Sequence, residues 1–95
     1  MNVIEIIRFK GSAEALKDTF KALKESGDLD KVRAEEGCFY FDFFFSPEHE
    51  DEMLLAEKWE SEGALDRHHE TEMMASLLAL IKENELKLSV EKYEV

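Results

Sequence analysis

The strongest feature of the hydrophobic pattern is an aromatic stretch from Gly37 to Phe45, which holds five of the seven phenylalanines in the chain. Side chains alternate between the two faces of an extended strand, which makes both faces of this stretch mostly apolar. The alternation puts Phe39, Phe41, Phe43 and Phe45 on one face and Cys38, Tyr40, Asp42 and Phe44 on the other. A chain of 95 residues can cover only one side of a sheet with its own helices. We therefore expect a homodimer in which a second copy covers the other side.

The rest of the pattern predicts strands and helices in alternation around this stretch. Strands are predicted over residues 2–10, 37–45, 52–60 and 86–95, and helical segments over residues 12–27 and 61–84. Residues 28–36 read as a polar connector with one short helical turn. The order strand, helix, strand, strand, helix, strand is that of the ferredoxin-like fold. The predicted fold class is α+β, with one domain over residues 1–95, a four-stranded antiparallel sheet, and helices on one face of that sheet.

Composition and charge narrow the classes of partner. The chain carries 12 basic and 23 acidic residues, a net charge of −11, so nucleic acids and anionic membranes would be repelled at long range. The longest apolar run, from Met73 to Ile81, is too short to cross a bilayer. The first residues read as a strand interrupted by Glu5 and Arg8 rather than as a signal peptide, so we expect a cytoplasmic location. The single cysteine, Cys38, cannot form an internal disulfide and is expected to be an unreactive core residue.

Motifs for the common cofactors are absent from the sequence. The four glycines stand alone, so that neither a dinucleotide-binding turn nor a phosphate-binding loop is present. His68 and Glu72 lie four residues apart and can reach one metal ion from a helix, but no third ligand lies near them in the sequence. We therefore predict neither a metal site nor an organic cofactor.

Four residues in the second half of the chain are candidates for chemistry. Glu57 and Trp59 lie on the same face of a predicted strand. His68 follows Leu65 by three positions and leans toward the apolar side of its predicted helix, while His69 flanks that side. Three of the four candidates have a structural alternative. His68 can be a core residue bonded to a backbone carbonyl, Trp59 can serve packing alone, and Glu57 can be half of an ion pair.

Several short motifs resemble the antibiotic biosynthesis monooxygenase family of small dimeric α/β-barrel proteins. They are Trp59-Glu60-Ser61 followed by Leu65-x-x-His68, Glu35-Glu36-Gly37-Cys38 ahead of the aromatic strand, and Lys10-Gly11-Ser12 at the first strand-to-helix turn. The resemblance implies a dimeric α/β barrel, in which the sheet of a ferredoxin-like monomer packs on the sheet of its partner. It also implies a pocket between the sheet and the helices.

What the resemblance implies about activity depends on the branch of the family. Members include cofactor-free oxygenases that convert phenols or hydroquinones to quinones, haem-degrading enzymes, and an isomerase of a signalling molecule. The signature residues of the haem-degrading branch fall at Ile4, His68 and Leu78, which do not match that signature. The pocket Trp of the polyketide-quinone branch is retained as Trp59, while Leu55 stands in the place of its Asn.

The resemblance therefore implies a cofactor-independent monooxygenase that oxidises a small electron-rich aromatic, a phenol or hydroquinone, to a quinone with O2. His68 is expected to act as the base and Trp59 to stack on the substrate ring. The expected substrate-binding residues are Phe39, Phe41, Leu55, Glu57, Leu65, His69, Met73 and Leu77. Two alternatives stay open. One is a non-catalytic dimer that binds a small apolar or aromatic molecule or is purely structural, and the other is a cofactor-free isomerase that uses His68 to move protons without oxygen.

Overall fold

Eight helices and strands follow one another in the computed structural model, which describes residues 1–95. They are β1 (Val3–Lys10), α1 (Ala13–Glu25), α2 (Asp28–Arg33), β2 (Cys38–Phe45), β3 (Glu52–Trp59), α3 (Glu62–His69), α4 (Glu72–Glu83) and β4 (Lys87–Glu94). The predicted ferredoxin-like α+β fold is confirmed. The single helical turn expected in the connector is the six-residue helix α2, whose Leu29 and Val32 are buried in the core.

Side-chain caps explain where the three longer helices begin. The hydroxyl oxygens of Ser12, Ser61 and Thr71 each accept a hydrogen bond from the backbone N–H three residues further on, at 3.1 to 3.2 Å. Such a bond satisfies one of the amide groups that the first turn of a helix leaves without a partner. Ser61 and Thr71 thereby fix where α3 and α4 begin. Both helices lie against the candidate site.

The four strands form one antiparallel sheet in the order β2-β3-β1-β4. Apart from the partly buried Ile7, the residues of β1 and β3 that point toward the helices are buried, and their apolar members form the floor of a 15-residue hydrophobic core. The apolar members of this floor are Val3, Phe9, Met53, Leu55 and Trp59. Leu16 and Leu23 of α1, Leu65 of α3 and Leu77 of α4 pack on it from the other side. The core therefore lies between the sheet and a single layer of helices.

A bulge at Phe39 changes which side chains of β2 face the core. Cys38 pairs with Trp59 and Tyr40 pairs with Lys58, so Phe39 is the extra residue between them. Cys38 packs against the core, whereas Phe39 is 55% exposed and its ring centroid lies 5.8 Å from the Lys58 nitrogen. The prediction that Phe39 shares a face with Phe41, and Cys38 with Tyr40, is wrong, because strict alternation along β2 begins only after the bulge.

The other face of the sheet, hereafter the open face, is free of helices and carries apolar and polar residues. Its apolar residues include Ile4, Ile6, Tyr40, Phe44, Leu54, Ala56 and Tyr93, and the polar residues among them include Arg8, Asp42, Lys58, Ser89 and Glu91. Phe44 and Tyr93 are exposed large hydrophobic residues, and β4 is exposed along its whole length. None of the helices combines the length and the apolar character that crossing a bilayer requires.

Candidate functional site

His68 lies on the buried side of α3, against the sheet. Ala64 and Leu65 precede it by four and three positions, so all three residues share one face of the helix and are buried. The imidazole stacks on the Trp59 ring, with centroids 4.7 Å apart and planes inclined by 30°. It also meets the edge of Phe41 at 5.5 Å. His68, which is 1% exposed, is therefore held in an aromatic environment rather than in the polar surface layer.

The imidazole also has a hydrogen-bond partner, Glu35, from the connector between α2 and β2. The Nδ1 atom of His68 lies 3.2 Å from both carboxylate oxygens of Glu35. Burial lowers the pKa of His68 below its ordinary value, and the hydrogen bond and charge of Glu35 oppose that effect. The Nε2 atom makes no hydrogen bond within the chain, yet every fully buried polar side-chain atom has a partner. Nε2 is therefore the ring nitrogen that has no hydrogen-bond partner and is not fully buried.

Glu57 supplies a buried carboxyl group beside the same tryptophan. Its position on β3 points toward the core, where the residue is 2% exposed. The Nε1–H of Trp59 donates a hydrogen bond of 2.8 Å to Glu57 Oε1. The pKa of Glu57 is raised to about 7: burial is the largest cause, the hydrogen bond from Trp59 opposes it, and the charges of Glu5 and Glu35 contribute to the rise. This carboxyl is therefore divided between its protonated and ionised forms near neutral pH.

A second histidine and a second glutamate border this group. Glu5 of β1 stands opposite Glu57 of β3 in the register of these two strands, and it is also buried. The Nε2 atom of His69 lies 3.7 Å from Glu5 Oε1, and the His69 side chain is about half exposed. The ring centroids of His68 and His69 are 5.7 Å apart. His68 is thus the internal histidine of the pair, and His69 stands at the margin of the site.

The predicted substrate-binding residues are brought together in part. Phe41, Leu55, Leu65, Met73 and Leu77 are all buried in the same core cluster as Trp59. Phe39 is separated from them by the bulge in β2 and lies on the outer side of the sheet.

The buried side chains of the predicted site pack against one another, and Met73 is the only predicted site residue that lines a cavity. Three cavities are present, and neither Trp59 nor His68 lines any of them. The largest, of about 550 Å³, is a cleft between α2 and the start of α4. Its lining residues are Asp28, Lys31, Glu35, Glu70, Thr71, Glu72, Met73 and Ser76. Around Trp59 and His68, the pocket that the resemblance implies between the sheet and the helices is therefore filled by side chains in this conformation.

Glu35 and Glu5 are the residues of this site that the sequence does not predict. In the sequence Glu5 only interrupts the first apolar strand, and Glu35 only belongs to the Glu35-Glu36-Gly37-Cys38 motif. For Glu35 the available signal was its position, because a carboxylate just before a buried strand must find a partner or reach water. Cys38, by contrast, fits its expected character: burial, followed by the charges of Glu35, Glu57 and Asp42, raises the pKa of its thiol to about 11. A protonated thiol is a poor nucleophile.

Comparison with proteins of known structure places the chain among similar folds. A Mycobacterium tuberculosis protein is 26% identical, with a TM-score of 0.83 over 100% of this chain and 95% of its own. A Deinococcus radiodurans protein, named as a candidate antibiotic biosynthesis monooxygenase, is 21% identical, with a TM-score of 0.85 over 98% of this chain and 91% of its own. A Bacteroides thetaiotaomicron protein of unknown function is 23% identical, with a TM-score of 0.84 over 99% of this chain and 97% of its own.

Sequence comparison identifies the family. No curated protein matches the sequence significantly. The sequence profile of the family described as antibiotic biosynthesis monooxygenase matches residues 2–79, which include β1, β2, β3 and every residue of the site described above. The chain therefore belongs to the antibiotic biosynthesis monooxygenase family.

Proposed function

We propose that this protein is a cofactor-independent monooxygenase that oxidises a small phenol or hydroquinone to a quinone with O2. Membership of the family and the similarity to candidate monooxygenases support a monooxygenase-like role in general. The observation that carries the specific proposal is the buried His68 ring, which stacks on Trp59 and keeps Nε2 unpaired. A base in an aromatic setting is what the first step of such a reaction needs.

In the proposed reaction, His68 Nε2 takes the phenolic proton and so forms the phenolate. The phenolate is far more easily oxidised than the phenol, and it passes an electron to O2. All reducing equivalents come from the substrate. With a phenol, one oxygen atom of O2 becomes the second oxygen of the quinone and the other leaves as water. With a hydroquinone, the same stoichiometry gives a hydroxylated quinone and water. Trp59 and Phe41 supply aromatic surfaces for the substrate ring, and the apolar residues around them exclude water from the reactive intermediate.

Substrate entry requires the helices to move relative to the sheet. Leu65 of α3 and Met73 and Leu77 of α4 are packed into the core that the substrate would occupy. Opening of a helical segment over a site is a motion that many enzymes use to admit substrate and then exclude water. We therefore place the moving part of the proposed enzyme in α3 and α4.

The test is oxygen consumption in the presence of a panel of phenols and hydroquinones, with the wild-type protein and two variants. We expect wild-type protein to consume oxygen with at least one of them. His68→Gln is expected to lower turnover on the order of 10²- to 10⁴-fold, the usual contribution of a positioned base. His49→Gln, in the exposed loop between β2 and β3, is the matched control and should leave turnover unchanged. Unchanged turnover in His68→Gln would show that His68 is not the base.

The packed core also favours a second candidate function, a non-catalytic dimer that binds a small apolar molecule or serves structure alone. The supporting observation is that no cavity is lined by Trp59 or His68. The same oxygen measurement separates the two candidates. Absence of oxygen consumption with every phenol and hydroquinone, together with saturable binding of an aromatic ligand, would favour this second function.

The proposal includes a homodimer formed through the open face. Ile4, Ile6 and Leu54 are only partly buried in the single chain, and Phe44 and Tyr93 are exposed. Contiguous apolar surface of this kind marks an interface more often than a free surface. The occupant we propose is a second copy of the chain, packed sheet against sheet.

A further inference from the structure

The contact between Glu35 and His68 defines which ring nitrogen carries the proton. Both carboxylate oxygens of Glu35 lie 3.2 Å from His68 Nδ1. An ionised carboxylate only accepts hydrogen bonds, so the Nδ1 atom must be the donor. A neutral His68 therefore carries its hydrogen on Nδ1 and its free lone pair on Nε2. The stacking on Trp59 and the edge contact with Phe41 hold the ring in that orientation.

Glu35 also faces water, on the side away from His68. It lines the cleft of about 550 Å³ between α2 and α4, and 20% of its side chain is exposed. Water in this cleft can solvate the negative charge of Glu35, which spares the protein the large cost of a fully buried, unpaired carboxylate. Lys31 is the single basic residue that lines the cleft, against the carboxylates of Asp28, Glu70 and Glu72. Glu35 thus places a negative charge, which water in the cleft can hydrate, beside Nδ1 of the buried imidazole.

We propose that Glu35 is a positioning residue for His68: it holds the imidazole in the Nδ1–H form, presents Nε2 as the basic nitrogen, and compensates the positive charge when Nε2 takes a proton. The role in turnover rests on the proposed function, whereas the ring form can be observed without it. In the step concerned, the phenolic O–H bond breaks and an Nε2–H bond forms. The resulting imidazolium lies between the phenolate and the Glu35 carboxylate. Its proton returns later to the reduced oxygen that leaves as water.

Other charged groups near the ring also change the pKa of His68. His69 lowers the pKa of His68, and Glu5 raises it. Glu57 accepts its hydrogen bond from Trp59 and forms none with the imidazole. Glu35 is the only carboxylate hydrogen-bonded to the ring, so its removal should change the ring more than the removal of any other acidic group.

The experiment compares wild-type protein with Glu35→Gln and Glu36→Gln by ¹⁵N long-range NMR of the histidine rings across a pH titration. Glu36 is exposed, next to Glu35 in sequence and outside the site, so Glu36→Gln is the matched control. We expect His68 at pH 8 to carry hydrogen on Nδ1 in the wild type and in Glu36→Gln. In Glu35→Gln both ring forms should be populated, because an amide can donate to Nδ1 as well as accept from it. The pKa of His68 should also fall in that variant. Hydrogen on Nε2 in the wild type, or an unchanged ring form and pKa in Glu35→Gln, would overturn the proposal.

Turnover supplies the second readout, with a substrate that the wild type oxidises. We expect Glu35→Gln to lower kcat on the order of 10²-fold and to shift the acidic limb of the kcat profile to lower pH, while Glu36→Gln matches the wild type. Wild-type kcat and an unshifted profile in Glu35→Gln would overturn the positioning role even if the ring form changes. If the wild type oxidises no phenol or hydroquinone, the proposed function fails, and the NMR result alone decides what Glu35 does to His68.

Discussion

At the scale of single residues, Glu57 gives the protein a pH dependence that can be measured without a substrate. Burial raises the pKa of Glu57 from 4.5 to about 7 in the folded state. Because the folded pKa is the higher one, the favourable contribution is complete below pH 4.5 and is lost as the pH rises toward and past 7. We expect the wild type to lose about 2–3 kcal/mol more unfolding free energy than Glu57→Gln between pH 5 and pH 8. Urea denaturation at the two pH values measures the difference.

Two features make this comparison specific to Glu57. The amide oxygen of Gln can still accept the hydrogen bond from Trp59 Nε1, so the variant removes the ionisation and keeps the contact. Glu60→Gln, at an exposed position just after β3, is the control and should follow the wild type at both pH values. A Glu57→Gln variant with the same loss of stability as the wild type would contradict the raised pKa.

The sequence could predict the orientation of some site residues but not their partners. Alternation along β3 predicts that Glu57 and Trp59 share one face, and the three-residue spacing from Leu65 predicts that His68 points inward. Both predictions follow from local rules, and the structure confirms these orientations. The contact of Glu35 with His68 spans 33 positions and depends on how the connector packs against α3. No local pattern contains that information, so the sequence alone could not assign Glu35 to the site.

At the scale of elements, Gly37 is where the start of β2 meets α3. Its φ of 85° lies in the left-handed region, and a Cβ atom there would stand 2.7 Å from the Cβ of Ala64. Gly27, between α1 and α2, has almost the same φ, 86°, but nothing within 4 Å of the corresponding Cβ. We expect Gly27→Ala to lower the unfolding free energy by about 1–2 kcal/mol through backbone strain alone. Gly37→Ala should lose a further 1–3 kcal/mol, roughly, from the clash with α3.

Denaturation of both variants under identical conditions measures the difference. The pair is matched, because the two glycines share a backbone conformation and differ in their surroundings. Displacement of α3 in Gly37→Ala should also disturb the stacking of His68 on Trp59, which ring-proton NMR shifts of His68 report. Equal destabilisation of the two variants would mean that α3 yields to the added methyl group at no cost.

The elements themselves could be predicted well, apart from one feature of β2. The helix starts near residues 12 and 61 and the order of strands and helices along the chain follow from local patterns, and the structure confirms them. The bulge at Phe39 could not be predicted, because the aromatic residues on both sides of it make the two faces of the strand equally apolar. A pattern without polar positions contains little information about register.

At the scale of the whole molecule, the open face of the sheet is a surface that no helix of the chain covers. Helices pack on one side of the sheet only, and β4 is exposed on both of its faces. The aromatic stretch from Gly37 to Phe45 predicts apolar side chains on this second face of the sheet. It could not predict how a partner is oriented, because two sheets can pack either aligned or crossed with the same side chains.

The homodimer is tested with one aspartate on each side of the molecule. Ile6 lies in β1 on the open face, between Ala56 of β3 and Glu91 of β4, and Leu78 is an exposed residue of α4 on the helix side. We expect Ile6→Asp to be monomeric at concentrations where the wild type is a dimer, because burying an unpaired carboxylate costs several kcal/mol, roughly. Leu78→Asp should remain dimeric. Light scattering over a micromolar dilution series measures both, and added salt should tighten the wild-type dimer, since each copy carries a net charge of −11. A wild-type protein that is monomeric throughout, or an Ile6→Asp variant as dimeric as Leu78→Asp, would place the interface elsewhere or remove it.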